Sequence, residues 1–525
     1  MTTTMTYIML AVYIGIMIGI GVYSYRKTKT VNDFVLGGRS VGPWLTAFAY
    51  GTSYFSAVVF IGYAGQFGWS YGVSATWVGI GNTIIGSALA WILLGRRTRL
   101  MTHKLSAKTM PEFFEKRFDS KALKLASSVI IFIFLIPYTA SVYNGLSRLF
   151  DMALGLQSEN SYMIIIVLMA IITAVYVILG GYSATAINDF IQGIIMLAGI
   201  IAVVVCTVNN QGGFTEAVKK LGEIETDGGG FDKLFGPDPL NLLGVVILTS
   251  LGTWGLPQMI GKFYAIKEDG SKKIIRSGTV ISTLFALVVA GGSYFLGGFD
   301  RLFCTLDASD TSKTYIQTLS NGKPEFDAMI PAMLNSALPD ILIALVVVLV
   351  FSASMSTLSS LVLTSSSTLT IDFIKPKMKN ISEKKEVIIM RALIAVFLII
   401  SVVIAFNKNA SISTLMSYSW GALAGSFLGP FLFGLFSKKT TKVSVWASFV
   451  TGIGLTMTHM ILFGLGFFPE LTKTAASFPL NLASPINAGA ITMIISLVIV
   501  PVVSLVTAKP DGKYVDEVFE CYNEK

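Results

Sequence analysis

Thirteen stretches of the chain are apolar over the roughly 20 residues a helix needs to cross a bilayer, and short polar segments separate them. Numbered as spans 1 to 13, they cover about 6–25, 43–68, 71–95, 124–154, 160–180, 184–208, 240–266, 274–297, 340–372, 386–406, 411–437, 443–466 and 486–507. The longest polar segments, 209–239 and 298–339, are too short and glycine-rich for a separate soluble domain. The pattern predicts an all-α membrane protein with a single transmembrane domain over 1–525. Its parts are an extra N-terminal helix and loop (1–42), a first repeat (43–208), a second repeat (240–437), two C-terminal helices (443–507) and a tail (508–525).

Charge orients this array. Span 1 has no Lys or Arg before Arg26 and is followed by Lys27 and Lys29, so it reads as a retained helix rather than a signal peptide, with its N-terminus outside. Counted through thirteen crossings, 30 of the 39 Lys and Arg residues fall on the cytoplasmic side and nine outside, which predicts a cytoplasmic C-terminus. The formal net charge of +9 is thereby accounted for by short loops facing anionic lipid, without nucleic acid. With 53% hydrophobic and 13% charged residues the chain is not a soluble protein. Cys206, Cys304 and Cys521 form no CxxC, and His103 and His459 are the only histidines. An enzyme, a disulfide framework and a histidine metal centre are not expected.

Two spans carry helix-breaking residues near their middles. Span 2 reads AYGTSYFSAVVFIG, with Gly51, Thr52, Ser53 and Ser56 clustered, and span 7 reads LTSLGTWGLPQMIG, with Gly252, Gly255 and Pro257. Each span is expected to unwind locally, which is tolerated at membrane depth where freed carbonyls line a cavity and coordinate a cation. The breaks lie five spans apart, so spans 2–6 and 7–11 form two five-helix repeats, the second inverted. The alternative is close packing through glycine, as expected for Gly15 and Gly19 of span 1.

Span 9 contains FSASMSTLSSLVLTSSSTLT, in which Ser356, Ser359 and Ser360 share a helical face, with Ala353 a turn earlier and Thr357 alongside. Such hydroxyls suit a dehydrated monovalent cation, or else bond back to their own helix. Asp189, at the inner part of span 6, has no Lys or Arg expected in the neighbouring span interiors, and a sodium ion shared with span 9 is one partner for it; contact with water or a helix N-terminus is the other. Trp44, Trp69, Trp91 and Trp446 are expected in the interfacial belt, with Trp77, Trp254 and Trp420 deeper.

The segments VLGGRSVGPWLTAFAYGTSYFSA, PEFFEKRF, ILGGYSATAINDFIQG, GLPQMIGKF, SASMSTLSSLVLTSSS and SYSWGALAGSFLGP, in this order, resemble the sodium/solute symporter family. That family includes bacterial proline, pantothenate and sialic acid transporters and sodium-glucose cotransporters. The resemblance implies a LeuT-like fold, no organic cofactor, and sodium as the only metal, one or two ions per cycle. It implies a main sodium site at Thr52, Phe55, Ala353, Ser356 and Thr357, and a second at Asp189, Ser356, Ser359 and Ser360. The matching substrate positions are Tyr54, Ser56, Val58, Tyr138, Thr253 and Trp254, with Ser74 and Trp77 nearby. Proline transporters carry aspartate at the Tyr54 position and tryptophan at those of Val58 and Thr249, and no arginine stands here as in sialic acid recognition. An amino acid, monocarboxylate or pantothenate-like acid is the expected solute; a sugar or sialic acid, or a non-transporting sodium-dependent sensor, is the alternative. The expected setting is the plasma membrane, inner if bacterial, with solute, sodium and lipid as partners and no obligate protein partner.

Overall fold

A computed structural model describes residues 2–25, 30–154, 159–224, 230–267, 271–319, 322–378, 381–406 and 411–523. Arg26, Lys27 and Lys29, which orient span 1 in the sequence, lie outside the described residues. Apart from a short parallel pair, Cys304–Thr305 with Thr314–Tyr315, the regular structure is helical. Among the described residues eleven helical runs are long and apolar enough to cross a membrane, and nine of the predicted spans each coincide with one run.

Spans 2, 3, 5 and 6 depart from a one-to-one match because consecutive helices abut at glycines that turn the chain sharply, with no loop between them. Spans 5 and 6 form one run, Glu159–Asn210, bent at Gly181 (φ 54, ψ −151). A straight helix of that length would measure about 78 Å against a hydrocarbon core of about 30 Å. Only glycine fits the bend: a Cβ on Gly181 would lie 2.8 Å from the Phe34 carbonyl oxygen. Span 2 stops after Pro43–Tyr54, and its second half runs into span 3 through Gly72 (φ 61, ψ −142).

The helix Asp340–Thr368 is the buried axis of the molecule, with nearly all of its residues enclosed. It packs against Glu159–Asn210, Lys121–Leu154, Thr2–Tyr25 and Pro43–Tyr54. Outer helices turn large apolar side chains outward, among them Ile8 and Val12 of span 1 and Ile399 and Val403 of span 10. Such a belt suits lipid, where the helical backbone satisfies its own polar groups. Two packing expectations fail. Nothing lies within 4 Å of a Cβ built on Gly15 or Gly19; the close approach of span 1 is at Gly21, against the Tyr176 backbone. Trp91 is fully buried rather than interfacial, because Tyr50 and Phe263 pack edge-on and T-shaped against its ring.

The predicted cytoplasmic segments meet at one end. Arg39 reaches the Ala107 carbonyl, Lys124 pairs with Glu115 (2.8 Å) and Asp372 (3.7 Å), and Lys438 pairs with Asp516 of the tail. The predicted outer segments meet at the other, where Arg148 pairs with Glu325 and Trp77 donates to the Leu234 carbonyl. At the basic end Arg117, 1% exposed, donates to the carbonyls of Gly434 and Ser437, both at 2.8 Å, closing the C-terminus of Ile412–Phe436. Its guanidinium also lies 4.9 Å from the Phe519 ring of the tail, and burial pushes its pKa down to about 10, leaving it charged at neutral pH. Arg117→Ala strands two carbonyls and is expected to destabilise the fold by about 2–4 kcal/mol. Thermal unfolding of the purified protein measures this, and a melting curve equal to wild type would refute the capping role.

Candidate functional site: two broken helices around a hydroxyl-rich helix

The first break lies at Phe55 and Ser56. Pro43–Tyr54 ends where Phe55 turns extended (φ −96, ψ 128), and the chain recoils as Val58 N donates to Ser56 Oγ (3.2 Å) and Phe60 N to the Ser56 carbonyl (3.0 Å). The second break follows Pro239–Leu251: a tight turn over Gly252–Trp254 leads to an extended Leu256 (φ −83, ψ 122), and Pro257–Tyr264 begins with proline in its first turn. Proline suits that place because the first amides of a helix have no internal acceptor.

The breaks are tied together and to span 3. Tyr54 Oη donates to the Thr249 carbonyl (3.1 Å), and the Gly86 carbonyl accepts from Tyr50 Oη (2.8 Å) and Thr253 Oγ1 (3.1 Å). Trp254 Nε1 donates to the Ile85 carbonyl (2.9 Å).

All five residues expected at the main sodium site converge. Ser356 Oγ donates to the carbonyls of Thr52 (2.9 Å) and Ala353 (2.8 Å). Thr357 Oγ1 lies 3.2 Å from the Phe55 carbonyl, 3.4 Å from that of Ser53 and 3.3 Å from that of Ala353. The hydroxyls therefore do both things the sequence left open: they bond back to their own helix and face the carbonyls freed by the break. Ser354 Oγ adds a third link by accepting from Ala57 N (3.1 Å). Ser354 was not named in the sequence, and Ser53 was named only in the cluster at the break and not among the sodium-site residues.

The second constellation differs from expectation. Asp189 and Ser360 do approach one another, but through Lys262, whose Nζ lies 3.5 Å from Asp189 Oδ2 and 3.0 Å from Ser360 Oγ. The expectation that no basic residue reaches Asp189 is thus wrong. Lys262 reads as a loop-side lysine at the end of span 7, yet the break re-aims Pro257–Tyr264 so that it is 3% exposed. Ser359 Oγ donates to the Ser356 carbonyl of its own helix (2.8 Å).

Of the substrate positions, Tyr54 and Tyr138 face one another across Trp420, whose ring lies 6.2 Å from the first and 5.9 Å from the second. Ser56 and Val58 lie buried at the break beside them. Tyr63, 3.5 Å from Ser417 Oγ, extends this aromatic wall. Thr253 and Trp254 are engaged with span 3, as above. Ser74 and Trp77 are not gathered here: Ser74 bonds the Tyr71 carbonyl, and Trp77 stacks on Phe235 of the 230–238 segment, which folds over the start of span 3.

Helices broken at mid-length, with freed carbonyls facing the hydroxyls of a buried helix, define a secondary transporter rather than an enzyme. Residues 34–452 match the sodium:solute symporter family, and the chain belongs to it. It is 30% identical over 529 residues to the sodium/proline symporter of Staphylococcus aureus (strain JH9), covering 97% of this chain and 94% of that protein; the protein of strain NCTC 8325 is equally similar. A solved Na+-coupled sialic acid symporter, substrate-bound and outward-open, has a TM-score of 0.70 at 16% identity over 97% of this chain and 99% of its own. A nucleobase-cation-symport-1 family transporter in a closed conformation has a TM-score of 0.52 at 14% identity, covering 92% of this chain and 98% of its own. The fold is of the LeuT-like kind, and the protein is a multi-pass plasma-membrane transporter.

Proposed function

We propose that this protein imports a small amino-acid-like zwitterion by alternating access, coupled to a sodium ion bound by Thr52, Phe55, Ala353, Ser356 and Thr357. The observation that carries the reading is the convergence of two hydroxyls of Asp340–Thr368 on carbonyls at the break of span 2. These are oxygen ligands drawn from two elements, so an ion between them fixes one arrangement of the pair. Solute binds beside it at Tyr54, Ser56, Val58 and Tyr138, with Trp420. No charged side chain belongs to this set; the N-terminal ends of the resumed helices suit a carboxylate and the aromatic faces an ammonium. The relatives named as sodium/proline symporters support the same solute class.

In this reading the chain crosses the membrane thirteen times, as two inverted five-helix repeats with one helix before and two after. The N-terminus is outside and the basic end cytoplasmic. Sodium enters from outside and favours the state that binds solute; low internal sodium releases both. The membrane potential adds about 2.3 kcal/mol per translocated charge per 100 mV.

The test is uptake into proteoliposomes of radiolabelled proline, other amino acids, monocarboxylates, pantothenate, sugars and sialic acid, under an inward sodium gradient and a potassium control. Accumulation of an amino acid only with sodium is expected. Sodium-driven accumulation of a sugar or sialic acid alone would overturn the solute class, and sodium-dependent binding without accumulation would make the protein a sensor.

A further inference from the structure

We infer that the Lys262 ammonium is a built-in cation filling the second cation position, so that the chain binds one sodium ion and not two. The inference rests on the sodium-coupled reading above and refines its stoichiometry. Asp189 is fully buried, and a carboxylate at such depth requires a positive partner. Lys262 Nζ supplies one at 3.5 Å, lies 3.0 Å from Ser360 Oγ and sits 5.3 Å from the centre of the Tyr182 ring. An ammonium in that place makes the contacts a sodium ion would make with Asp189 and Ser360, and the two cannot share it.

The constellation retains the makings of an ion site. Asp189 Oδ1 has no hydrogen-bond partner among the described residues, nor has either polar atom of the nearby buried Gln192. Ser360 Oγ is 2.8 Å from Ser53 Oγ, and the Ser53 carbonyl faces Thr357. The fixed charge is thereby joined by two short links to the main sodium site. A cavity lined by Lys108, Thr109, Gln258, Lys262, Ser360 and Ser367 leads from this point toward the basic end. A free ion could exchange along it, whereas the lysine is tethered and stays behind.

Removing the ammonium while leaving Asp189 therefore opens a vacancy for a cation. The experiment counts sodium-22 bound at saturation by the purified full-length protein in detergent. Wild type and Lys262→Arg are expected to bind one ion per chain, and Lys262→Met two, with steeper sodium dependence. Lys262→Met/Asp189→Asn, which removes both charges and so avoids a lone buried carboxylate, is expected to return to one. Two ions in wild type, or in the double variant, would overturn the inference, as would one ion in a folded Lys262→Met protein. If Lys262→Met does not fold, the counts for wild type and the double variant still decide. Wild type binding no sodium at all would instead overturn the sodium-coupled reading itself.

Discussion

Thr357→Ala is expected to raise the sodium concentration for half-maximal binding about tenfold to a hundredfold. The Thr357 hydroxyl lies within 3.4 Å of all three carbonyls of Ser53, Phe55 and Ala353, so it joins the break to the hydroxyl-rich helix. Losing one polar partner of a charged group removes about 1.5–3 kcal/mol, which sets that range. Reciprocity then requires solute affinity, measured at fixed subsaturating sodium, to fall as well, because each ligand favours the state the other binds. Thr357→Ser keeps the oxygen and should stay near wild type. Sodium-22 and solute binding read out both effects, and a Thr357→Ala protein with unchanged sodium dependence would remove this residue from the site.

Breaks were legible in the sequence because they have local causes. Pro257 cannot donate an amide to the preceding turn, and the structure stops the helix just before it. In span 2 the small and hydroxyl residues mark the region, though the unwound residues prove to be Phe55 and Ser56 at its end. Helical spacing likewise put Ser356, Ser359 and Ser360 on one face with Thr357 alongside, since a periodicity of 3.6 needs no tertiary information, whereas their place beside the break came from the family resemblance. What escaped depends on redirection or on distant segments. Lys262 looked like a loop residue because its direction is set by the break ten residues or fewer upstream, and nothing in its own neighbourhood reveals Asp189 across the protein. Trp91 stands near the end of its span, where a belt position is the ordinary expectation, but two aromatic rings from other spans enclose it. Ser74 and Trp77 lie on the expected span, but Trp77 is engaged by Leu234 and Phe235 of the 230–238 segment, a distant stretch whose fold over the start of span 3 the local sequence does not reveal.

Gly68→Ala is expected to damage folding more than any other single methyl added at a span interior. Gly68 belongs to Ala64–Tyr71, the outer part of the resumed span 2, and crosses Gly292–Gly297 with backbone against backbone. A Cβ on Gly68 would lie 1.9 Å from the Gly297 carbonyl oxygen, and one on Gly297 would lie 2.1 Å from that of Ala64. Since ordinary contact begins near 3.4 Å, the helices would have to part by more than an ångström. Overpacking of a flexible core costs about 1–3 kcal/mol, and here the obstacle is a carbonyl in a helical ladder that cannot rotate aside, so the cost should reach or exceed the upper figure. The displaced segment also carries the resumed end of the break, so variant protein that does fold should bind sodium more weakly. Gly454→Ala is the control: it stands in open space on an exposed helix face, and alanine there gains up to about 1 kcal/mol of helix propensity. Thermal unfolding and yield of monodisperse protein separate the two variants, and a Gly68→Ala protein that melts with wild type would show that the two backbones are not in contact in the membrane.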